Sequence, residues 1–165
     1  MPPSYRASLL PATPIEEMYT AYLESFPALM ALATGGIYPY TSLGLQGISR
    51  ETTPEAFDAD GYLQPTIVVK TRAPLPDNRI SDVREKLLAQ VQVLELWVYE
   101  EDGYVNINLI LEFCFNALHG HIFPGFVPIV WLYTSPSLKD DAALKGSSFI
   151  RVDFNTRKLR KVVPV

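Results

Sequence analysis

The longest strand-like run in this chain is Leu87-Leu-Ala-Gln-Val-Gln-Val-Leu-Glu-Leu-Trp-Val-Tyr-Glu100. Val91 and Val93 alternate with glutamines, which is the period-two pattern of a strand with one buried face. From Leu94 onward the apolar residues take the opposite parity. We therefore expect either that both faces of the second half are covered, or that a β-bulge near Glu95 shifts the register.

A helix is predicted well before this strand. It begins at Pro14, with Thr13 as its N-cap and Glu16 completing a capping box. Because proline clashes with the carbonyl four residues earlier, Pro27 should break or kink the helix. Gly35-Gly36 offers a left-handed cap that ends the helical region.

A second helix is predicted directly after the long strand. Apolar residues recur at helical spacing from Ile107 to Leu118, and Asp102 is the expected N-cap. Cys114 lies on the apolar face, so we expect a buried side chain rather than a nucleophile. His119 falls at the C-terminus of this helix, where an imidazolium would interact favourably with the helix dipole.

The remaining apolar runs predict further strands. Trp97 and Trp131 fall on predicted strands, where they should fill the core unless one of them anchors an interface. Runs of consecutive strands with two helices indicate an α+β fold, a mixed and mainly antiparallel sheet with two principal helices packed on it. Besides 87–100, the predicted strands are 37–40, 64–72, 127–134, 148–154 and a final basic strand after a turn at Asn155-Thr156.

The length of 165 residues predicts a single domain over 1–165. Within it we expect an extended, proline-bearing N-terminal arm at 1–12, a long loop at 41–63 and a basic C-terminal strand or arm at 155–165. The chain is 48% hydrophobic and 19% charged, which excludes global disorder. Its single cysteine excludes a disulfide framework within one chain.

The net charge of −4 is unevenly distributed. Residues 151–165 contain five basic residues and one acidic residue, so they carry +4 and the first 150 residues carry −8. An acidic body disfavours non-specific nucleic-acid binding, and no apolar run approaches the roughly 20 residues of a membrane helix. We therefore predict no specific nucleic-acid partner and no membrane. The basic end either contacts an acidic surface or is a solvated strand end.

No catalytic site, metal or cofactor is predicted. His119 and His121 are the only histidines, and neither can be assigned to a nucleophile–base or acid–base pair from the sequence. The segment Asp58-Ala-Asp60-Gly61 faintly resembles a calcium loop, but Val69 stands where an EF-hand needs glutamate. The better interpretation of that segment is a turn, and we expect a non-enzymatic protein.

Four short segments follow one another in a suggestive order and spacing. They resemble the tail terminator family of long-tailed bacteriophages over about residues 15–162. The segments are Pro27-Ala-Leu, Gly35-Gly-Ile-Tyr-Pro39, Leu63-Gln-Pro-Thr-Ile-Val-Val69 and Ala89-Gln-Val-Gln-Val-Leu-Glu-Leu-Trp-Val98.

This resemblance implies a structural virion protein without enzymatic activity, assembled in the host cytoplasm into a ring that is expected to be a hexamer. Such a ring caps the tail tube, ends its polymerisation and joins it to the head-side connector. Its partners would be further copies of itself, the tail tube protein and a connector or neck protein. The alternatives are a head-completion or other neck ring protein, or a host cytosolic ligand-binding α+β domain.

A closed ring joins unlike surfaces of neighbouring subunits, and unpaired sheet edges are one way to join them. We predict that the 41–63 loop, the 73–80 loop and the basic C-terminal strand make subunit or tube contacts, because of their length, proline content and charge. The candidate interface residues are Gln46, Arg50, Asp58, Asp60, Arg79, Arg157, Lys158, Arg160 and Lys161.

Overall fold

The computed structural model of the chain describes residues 14–76, 87–101, 103–140 and 147–161. Helices and strands follow each other much as the sequence predicts, and the fold is α+β. The elements are α1 (Pro14–Glu24), α2 (Pro27–Leu32), β1 (Gly36–Pro39), β2 (Thr66–Thr71), β3 (Leu75–Pro76), β4 (Leu87–Glu100), α3 (Val105–Leu118), β5 (Val130–Thr134), β6 (Leu138–Asp140) and β7 (Ser147–Lys161).

Seven strands of the described residues form one mixed sheet with the order β1-β2-β4-β7-β5. β1 and β2 run parallel, and the other pairings among the described strands are antiparallel. β3 pairs with β4 on the same side as β2, and β6 pairs with β7 on the same side as β5. The centre of the sheet is the β4–β7 ladder, which is continuous from Leu87↔Lys161 to Glu100↔Ser148.

The two alternatives for β4 are resolved by this ladder, which shows no register shift along the strand. Leu94, Leu96 and Val98 are buried in the main core against the helices. Trp97 and Tyr99, on the opposite face, pack against a second apolar cluster. Both faces of the second half of β4 are therefore covered, and no bulge is needed at Glu95.

The main core lies between one face of the sheet and the helices. Tyr19 and Leu23 of α1 are buried there with the four inward residues of α3, Ile107, Ile110, Cys114 and Leu118. The prediction that Cys114 is buried is confirmed, and burial raises the pKa of its thiol to about 12. A thiol with so high a pKa is almost entirely protonated at neutral pH and is a poor nucleophile.

The predicted break at Pro27 is confirmed, since α1 ends at Glu24 and α2 starts with Pro27 at its first position. Thr13, the predicted cap of α1, lies outside the described residues. The Glu16 carboxylate is buried and accepts hydrogen bonds from the backbone N–H groups of Thr41 (3.0 Å) and Thr71 (3.1 Å). Glu16 thus ties α1 to the start of the 41–63 segment and to the end of β2.

The prediction of Asp102 as the N-cap of α3 is wrong. The N-cap position is Tyr104, which makes no side-chain capping hydrogen bond, and Asp102 lies outside the described residues. The preceding acidic residues have other partners. Glu100 accepts a hydrogen bond from the Asn106 side chain (2.6 Å), and Glu101 accepts one from the backbone N–H of Leu63 (3.0 Å).

The 41–63 segment is irregular, as predicted, but it is packed. It contains three short 3₁₀ turns, at Tyr40–Ser42, Gly44–Gln46 and Pro54–Ala56. Four of its residues are buried in the second apolar cluster, which lies on the sheet face opposite the helices and also contains Tyr38 and Val68. Phe57, Trp97 and Tyr99 are partly buried and pack against this cluster. The segment therefore covers part of that face. These four residues are Leu43, Ile48, Ala56 and Leu63.

The predicted turn at Asn155-Thr156 is wrong, because β7 continues through it. Asn155 and Thr156 pair with Val93 and Gln92 of β4, and the Thr156 hydroxyl donates a hydrogen bond to the carbonyl of Val127. Residues 157–161, four of which are basic, therefore extend a central strand of the sheet. β6, in turn, lies within 135–146, where no strand is predicted.

Candidate functional site

β5 is an edge strand whose large apolar side chains face solvent. Val130, Trp131, Leu132 and Tyr133 are each 44–47% exposed, which is unusual for four consecutive large residues on a strand. The expectation that Trp131 fills the core is therefore wrong, and the alternative of an interface position is open. Trp131 fails to reach the core because β5 lies at the end of the sheet, with β7 as its strand neighbour.

The outer side of β5 is partly occupied by the segment that follows α3. The backbone N–H of Gly120 donates to the carbonyl of Ile129 (2.8 Å), and that of Ile129 donates to the carbonyl of His121 (2.9 Å). A β-bulge lies between Trp131 and Tyr133. Segment 119–121 thus covers the start of β5, and its second half carries the exposed side chains beyond this cover.

Both histidines have structural partners at this edge. The Nδ1 atom of His119, at the C-terminal end of α3, accepts a hydrogen bond from the backbone N–H of Trp131 (3.2 Å). His121 stacks on Tyr22, and its Nδ1 atom lies 3.2 Å from the Tyr22 hydroxyl.

Helix α3 extends the apolar surface of β5. The Phe115 ring lies edge-on to Trp131, with centroids 6.4 Å apart, and stacks on His119. Phe115 is itself exposed, as is Leu138 on β6, the next strand along the same side of β7. We call these exposed side chains along the β5 edge the β5 patch; its members are Phe115, Val130, Trp131, Leu132, Tyr133 and Leu138. They lie on both faces of the sheet, since Trp131 pairs with Phe154 of the main core and Tyr133 pairs with Asp153 on the opposite face.

One basic side chain contacts the β5 patch. The guanidinium of Arg151 lies 5.7 Å from the ring centroids of both Trp97 and Tyr133, and it also pairs with Asp153 at 3.0 Å. Cations over aromatic faces are attracted by the ring quadrupole, so Arg151 is held beside Tyr133. Lys158 lies over Phe126 at 5.5 Å, and Lys139 is exposed on β6.

The 41–63 segment presents a different kind of surface. Leu45 in the Gly44–Gln46 turn is fully exposed, at 108% of its reference area. The turn is bounded by Gly44 (φ 65°) and Gly47 (φ 61°), a backbone region that side chains other than glycine seldom adopt. The two glycines hold the leucine at the tip of a projection.

The predicted interface residues of the 41–63 loop mainly shape the loop itself. Arg50 donates a hydrogen bond to the carbonyl of Gly61 (2.7 Å), and Asp58 accepts hydrogen bonds from the backbone N–H groups of Asp60 (3.0 Å) and Tyr62 (2.8 Å). The 58–61 segment is thus a turn closed by an aspartate, as interpreted from the sequence. Gln46 and Asp60 are exposed.

The basic candidates lie elsewhere. Arg157 and Lys158 pair with Val91 and Gln90 of β4, whereas the 41–63 segment packs near Trp97. Six residues of strand separate Val91 from Trp97, which is roughly 20 Å. The two groups are therefore not brought together within one subunit. Arg160 and Lys161 continue β7, and Arg79 lies outside the described residues.

A charged network on the sheet face opposite the helices escapes the sequence analysis. Glu95 and Asp153 are directly opposite each other on β4 and β7, and both are buried. Arg72 donates to Glu95 through Nε and lies 3.3 Å from Asp153, while Arg151 approaches Asp153 at 3.0 Å. A lone glutamate in an apolar strand is the only sequence signal of this network.

The two carboxyl groups respond differently to this environment. Burial alone would raise the pKa of Glu95, but hydrogen bonds from Trp97 (2.9 Å) and Arg72 outweigh it and lower the pKa. Burial raises the pKa of Asp153, and the neighbouring Glu95 charge adds to this despite Arg151 and Arg72. Glu95 is thus the carboxylate that the network holds ionised.

Two general features bear on which chemistry this surface supports. No group of three or more His, Cys, Asp or Glu side chains within the described parts of the chain is arranged to hold a metal ion. None of the described helices combines the length and the apolarity needed to cross a membrane. Exposed aromatic side chains bordered by basic groups are typical of protein interfaces.

Comparison with known proteins gives a likeness of fold. No protein-family model and no curated protein matches the chain. Among solved structures, the chain is similar to one chain of the "Virion of native gene transfer agent (GTA) particle", with a TM-score of 0.56 and 14% sequence identity. The match covers 85% of this chain and 90% of that one, so nearly the whole fold is shared.

Proposed function

We propose that this protein is a structural virion component of a phage-like particle that acts as a tail terminator. In this role, copies of the chain form a ring, expected to be a hexamer. The ring caps the tail tube, ends its polymerisation and joins it to the head-side connector. The role is non-enzymatic, and its site of action is the neck of the virion.

The observation that carries this proposal is the fold likeness to a virion chain across nearly the full length of both proteins. The order of short motifs from Pro27 to Val98, which resembles tail terminators, supports the same class of protein independently of the structure. Fold alone does not specify function, so the surface of the molecule must also suit the role.

The surface of the chain suits a ring subunit. Closed rings are built by heterologous contacts, in which one surface of a subunit binds a different surface of its neighbour. The β5 patch lies along an edge strand, whereas the Gly44–Gln46 turn belongs to a segment that packs on β1, β2 and β4, so the two are unlike surfaces. An exposed apolar patch of this kind on a soluble particle protein is best explained by a protein partner.

The proposal is tested by solution mass and by binding. We expect the purified chain to form an oligomer on analytical ultracentrifugation, or to do so when purified tail tubes are added, and to cosediment with the tubes. Tubes grown in its presence should stop at a shorter length than tubes grown without it. A protein that neither oligomerises nor binds tubes under both conditions would contradict the proposal.

A head-completion or other neck ring protein is the second candidate, since it shares the fold likeness and the need for unlike surfaces. It differs in its partner. Binding to purified portal complexes with no binding to tail tubes would favour this candidate over a terminator. A host ligand-binding domain would instead be a monomer or dimer in both experiments.

We also propose that the predicted contact residues act in assembly or tube binding, although Arg50 and Asp58 also shape their loop. Point substitutions test this better than truncation, because removing residues after Phe154 would remove half of the β7 ladder. The residues are Gln46, Arg50, Asp58, Asp60, Arg79, Arg157, Lys158, Arg160 and Lys161. Loss of ring or tube binding in Lys158→Glu or Asp60→Lys, with unchanged thermal unfolding, is the expected result.

A further inference from the structure

The charges of this chain are separated along the length of the β4–β7 ladder. We infer that the positively charged end of this ladder in one copy binds the negatively charged end in the next copy, which gives a head-to-tail contact between subunits. This inference rests on the proposed ring and assigns the two surfaces of one subunit contact. The partner of each end is thus a second copy of this chain.

One end of the ladder is basic. Residues 157–161 of β7 pair with Leu87–Val91 of β4, and Phe126 and Val127 border them on the other side. Neither 87–93 nor 122–134 contains a charged residue, so the strands beside this end supply no carboxylate. Four of these five β7 residues are cations, which we call the basic end: Arg157, Lys158, Arg160 and Lys161.

Lys158 is the exposed cation of the basic end. Its ammonium lies 5.5 Å from the centroid of the Phe126 ring, a contact that attracts the cation without removing its charge. Four like charges within five residues also repel one another, so a negatively charged partner relieves this repulsion.

The other end of the ladder is acidic. β4 ends at Glu100, and the backbone N–H of Leu63 donates a hydrogen bond to the carboxylate of Glu101 (3.0 Å), which holds the 58–63 turn beside the strand end. Arg50 binds the carbonyl of Gly61 (2.7 Å) and so joins the neighbouring turn to the same place. The acidic end has six acidic residues and one basic residue, a net charge of −5: Glu51, Glu55, Asp58, Asp60, Glu100, Glu101 and Arg50.

The contacts within the acidic end leave its charge in place. Asp58 accepts hydrogen bonds from backbone N–H groups, and Glu100 accepts one from the Asn106 amide (2.6 Å). These donors are neutral. Lys139 and Asp140 of β6 also pair with the start of β7 at this end, and their charges cancel. The surface around the end of β4 is therefore negative.

The two ends are too far apart to neutralise each other within one subunit. Lys158 lies opposite Gln90, which is ten residue steps or roughly 33 Å from Glu100 along β4. This is about four times the Debye length of roughly 8 Å at physiological ionic strength. Opposite ends of successive subunits can meet, which either closes a ring or extends a filament.

Charge also selects the arrangement and the kind of partner. A two-fold contact of either end with itself would oppose like charges, whereas a head-to-tail contact pairs a net charge of −5 with one of +4. A nucleic acid would be repelled by the rest of a chain whose net charge is −4. A second copy presents a compact acidic surface of matching size, so it fits the basic end better.

Charge reversal tests the pairing. Asp60→Lys and Lys158→Glu each change an exposed residue and place like charges across the contact. In about 50 mM NaCl, we expect each to lower the association constant about tenfold on analytical ultracentrifugation, with tail tubes present if the wild type needs them. In the chain that carries both substitutions the two charges are exchanged, so association should return to within about threefold of wild type.

Glu112→Lys combined with Lys158→Glu is the matched control. Glu112 is exposed on α3, outside both ends, and this chain has the same net charge of −4 as the double reversal. Its association should stay as weak as that of Lys158→Glu alone. Glu51→Lys, at another exposed position of the acidic end, should restore the association of Lys158→Glu as Asp60→Lys does. Thermal unfolding of all these variants should match wild type.

The outcomes separate the inference from the proposed function. A wild-type oligomer that either single variant leaves intact, or a double reversal no stronger than its control, would overturn the inference and leave the ring proposal standing. Loss of the wild-type oligomer after nuclease treatment would indicate a nucleic acid at the basic end and would also overturn it. A chain that is monomeric with and without tail tubes would overturn both.

Discussion

β4 and β5 have runs of similar composition in opposite environments. In β4, Leu94–Val98 lies between the helices on one side and the 41–63 segment on the other. In β5, Val130–Tyr133 is an equally apolar run with its own tryptophan, yet these four side chains are about half exposed. The difference comes from position in the sheet: β4 has strands on both sides and packed faces, whereas β5 is an edge.

This contrast indicates that the β4 run acts in folding and the β5 run in association. Burial of the β4 run contributes to folding, since apolar surface removed from water stabilises the native state. The β5 run gains little of that stabilisation within one subunit, so its apolar character is best explained by a partner. The contrast predicts that substitutions in β4 change stability, while substitutions in β5 change association.

Leu96→Ala should have the largest effect on stability. Leu96 is fully buried, and its truncation leaves a cavity, so we expect the free energy of unfolding to fall by about 2–5 kcal/mol in urea titrations. Leu132→Ala on β5 is the matched control and should cost much less. Equal losses for the two variants would remove the contrast between the strands.

Arg72→Ala should have the next largest effect, because it removes a cation that contacts both Glu95 and Asp153. Arg72 is 49% exposed, which limits the gain from its charge, so we expect a loss of about 1.5–3 kcal/mol at pH 7. Arg72→Lys keeps the charge but loses the planar fork that contacts both carboxylates, and should lose less. No loss at pH 7 would mean that the network does not join β4 to β7.

The pH dependence of Arg72→Ala has a definite sign. The lowered pKa of Glu95 means that this group stabilises the fold above its usual pKa and that the stabilisation is lost as the pH falls through the folded pKa. The raised pKa of Asp153 means that its ionised form destabilises the fold at neutral pH. This destabilisation is lost as the pH falls through the folded pKa, because protonation removes the buried charge. Without Arg72 the pKa values of both Glu95 and Asp153 rise. The stability difference between wild type and Arg72→Ala should therefore shrink as the pH falls from 7 to 4. A constant deficit would contradict this account.

Leu132→Ser should leave the free energy of unfolding within about 1 kcal/mol of wild type, because the side chain is already half exposed. Association should nevertheless weaken, which is measured by sedimentation or by cosedimentation with tail tubes. Ser137→Ala, at an exposed position outside the β5 patch, is the control and should leave both properties unchanged. Weakened folding with intact association would reverse the roles that we give to β4 and β5.

Salt should have the smallest effect. If acidic and basic surfaces meet across the interface, raising NaCl from about 50 to 500 mM should weaken association of the wild type by about threefold, because screening shortens the range of these charges. Lys158→Ser should associate more weakly at low salt and respond less to added salt. An association that strengthens with salt would indicate a purely apolar contact.

Much of the fold follows from local patterns. Residues 87–100 form one strand with the predicted bounds, because alternating β-branched and polar residues favour extended chain whatever surrounds them. The break at Pro27 follows from a steric clash within one turn. The Asn155-Thr156 turn was wrongly predicted because pairing with β4 outweighs the turn preference of two residues.

Most of the candidate surface does not follow from such patterns. Trp131 belongs to an apolar run that predicts a strand equally well in the centre or at an edge. Leu45 is one leucine in an irregular segment, and its exposure depends on how the turn projects from the cluster around Leu43. The Glu95–Arg72–Asp153 network joins residues of β4 and β7 to Arg72, which follows β2, and these residues are distant in the sequence.

The sequence by itself determined most of the helices and strands, the α+β class and the charge difference between body and C-terminal end, because propensity, spacing and composition are local properties. Tertiary structure alone decided which apolar strand is central and which is an edge. It also decided that the 41–63 segment covers a sheet face and that the side chains of β5 are left exposed. Burial and exposure depend on contacts between distant residues, and those exist only once the sheet has assembled in its particular strand order.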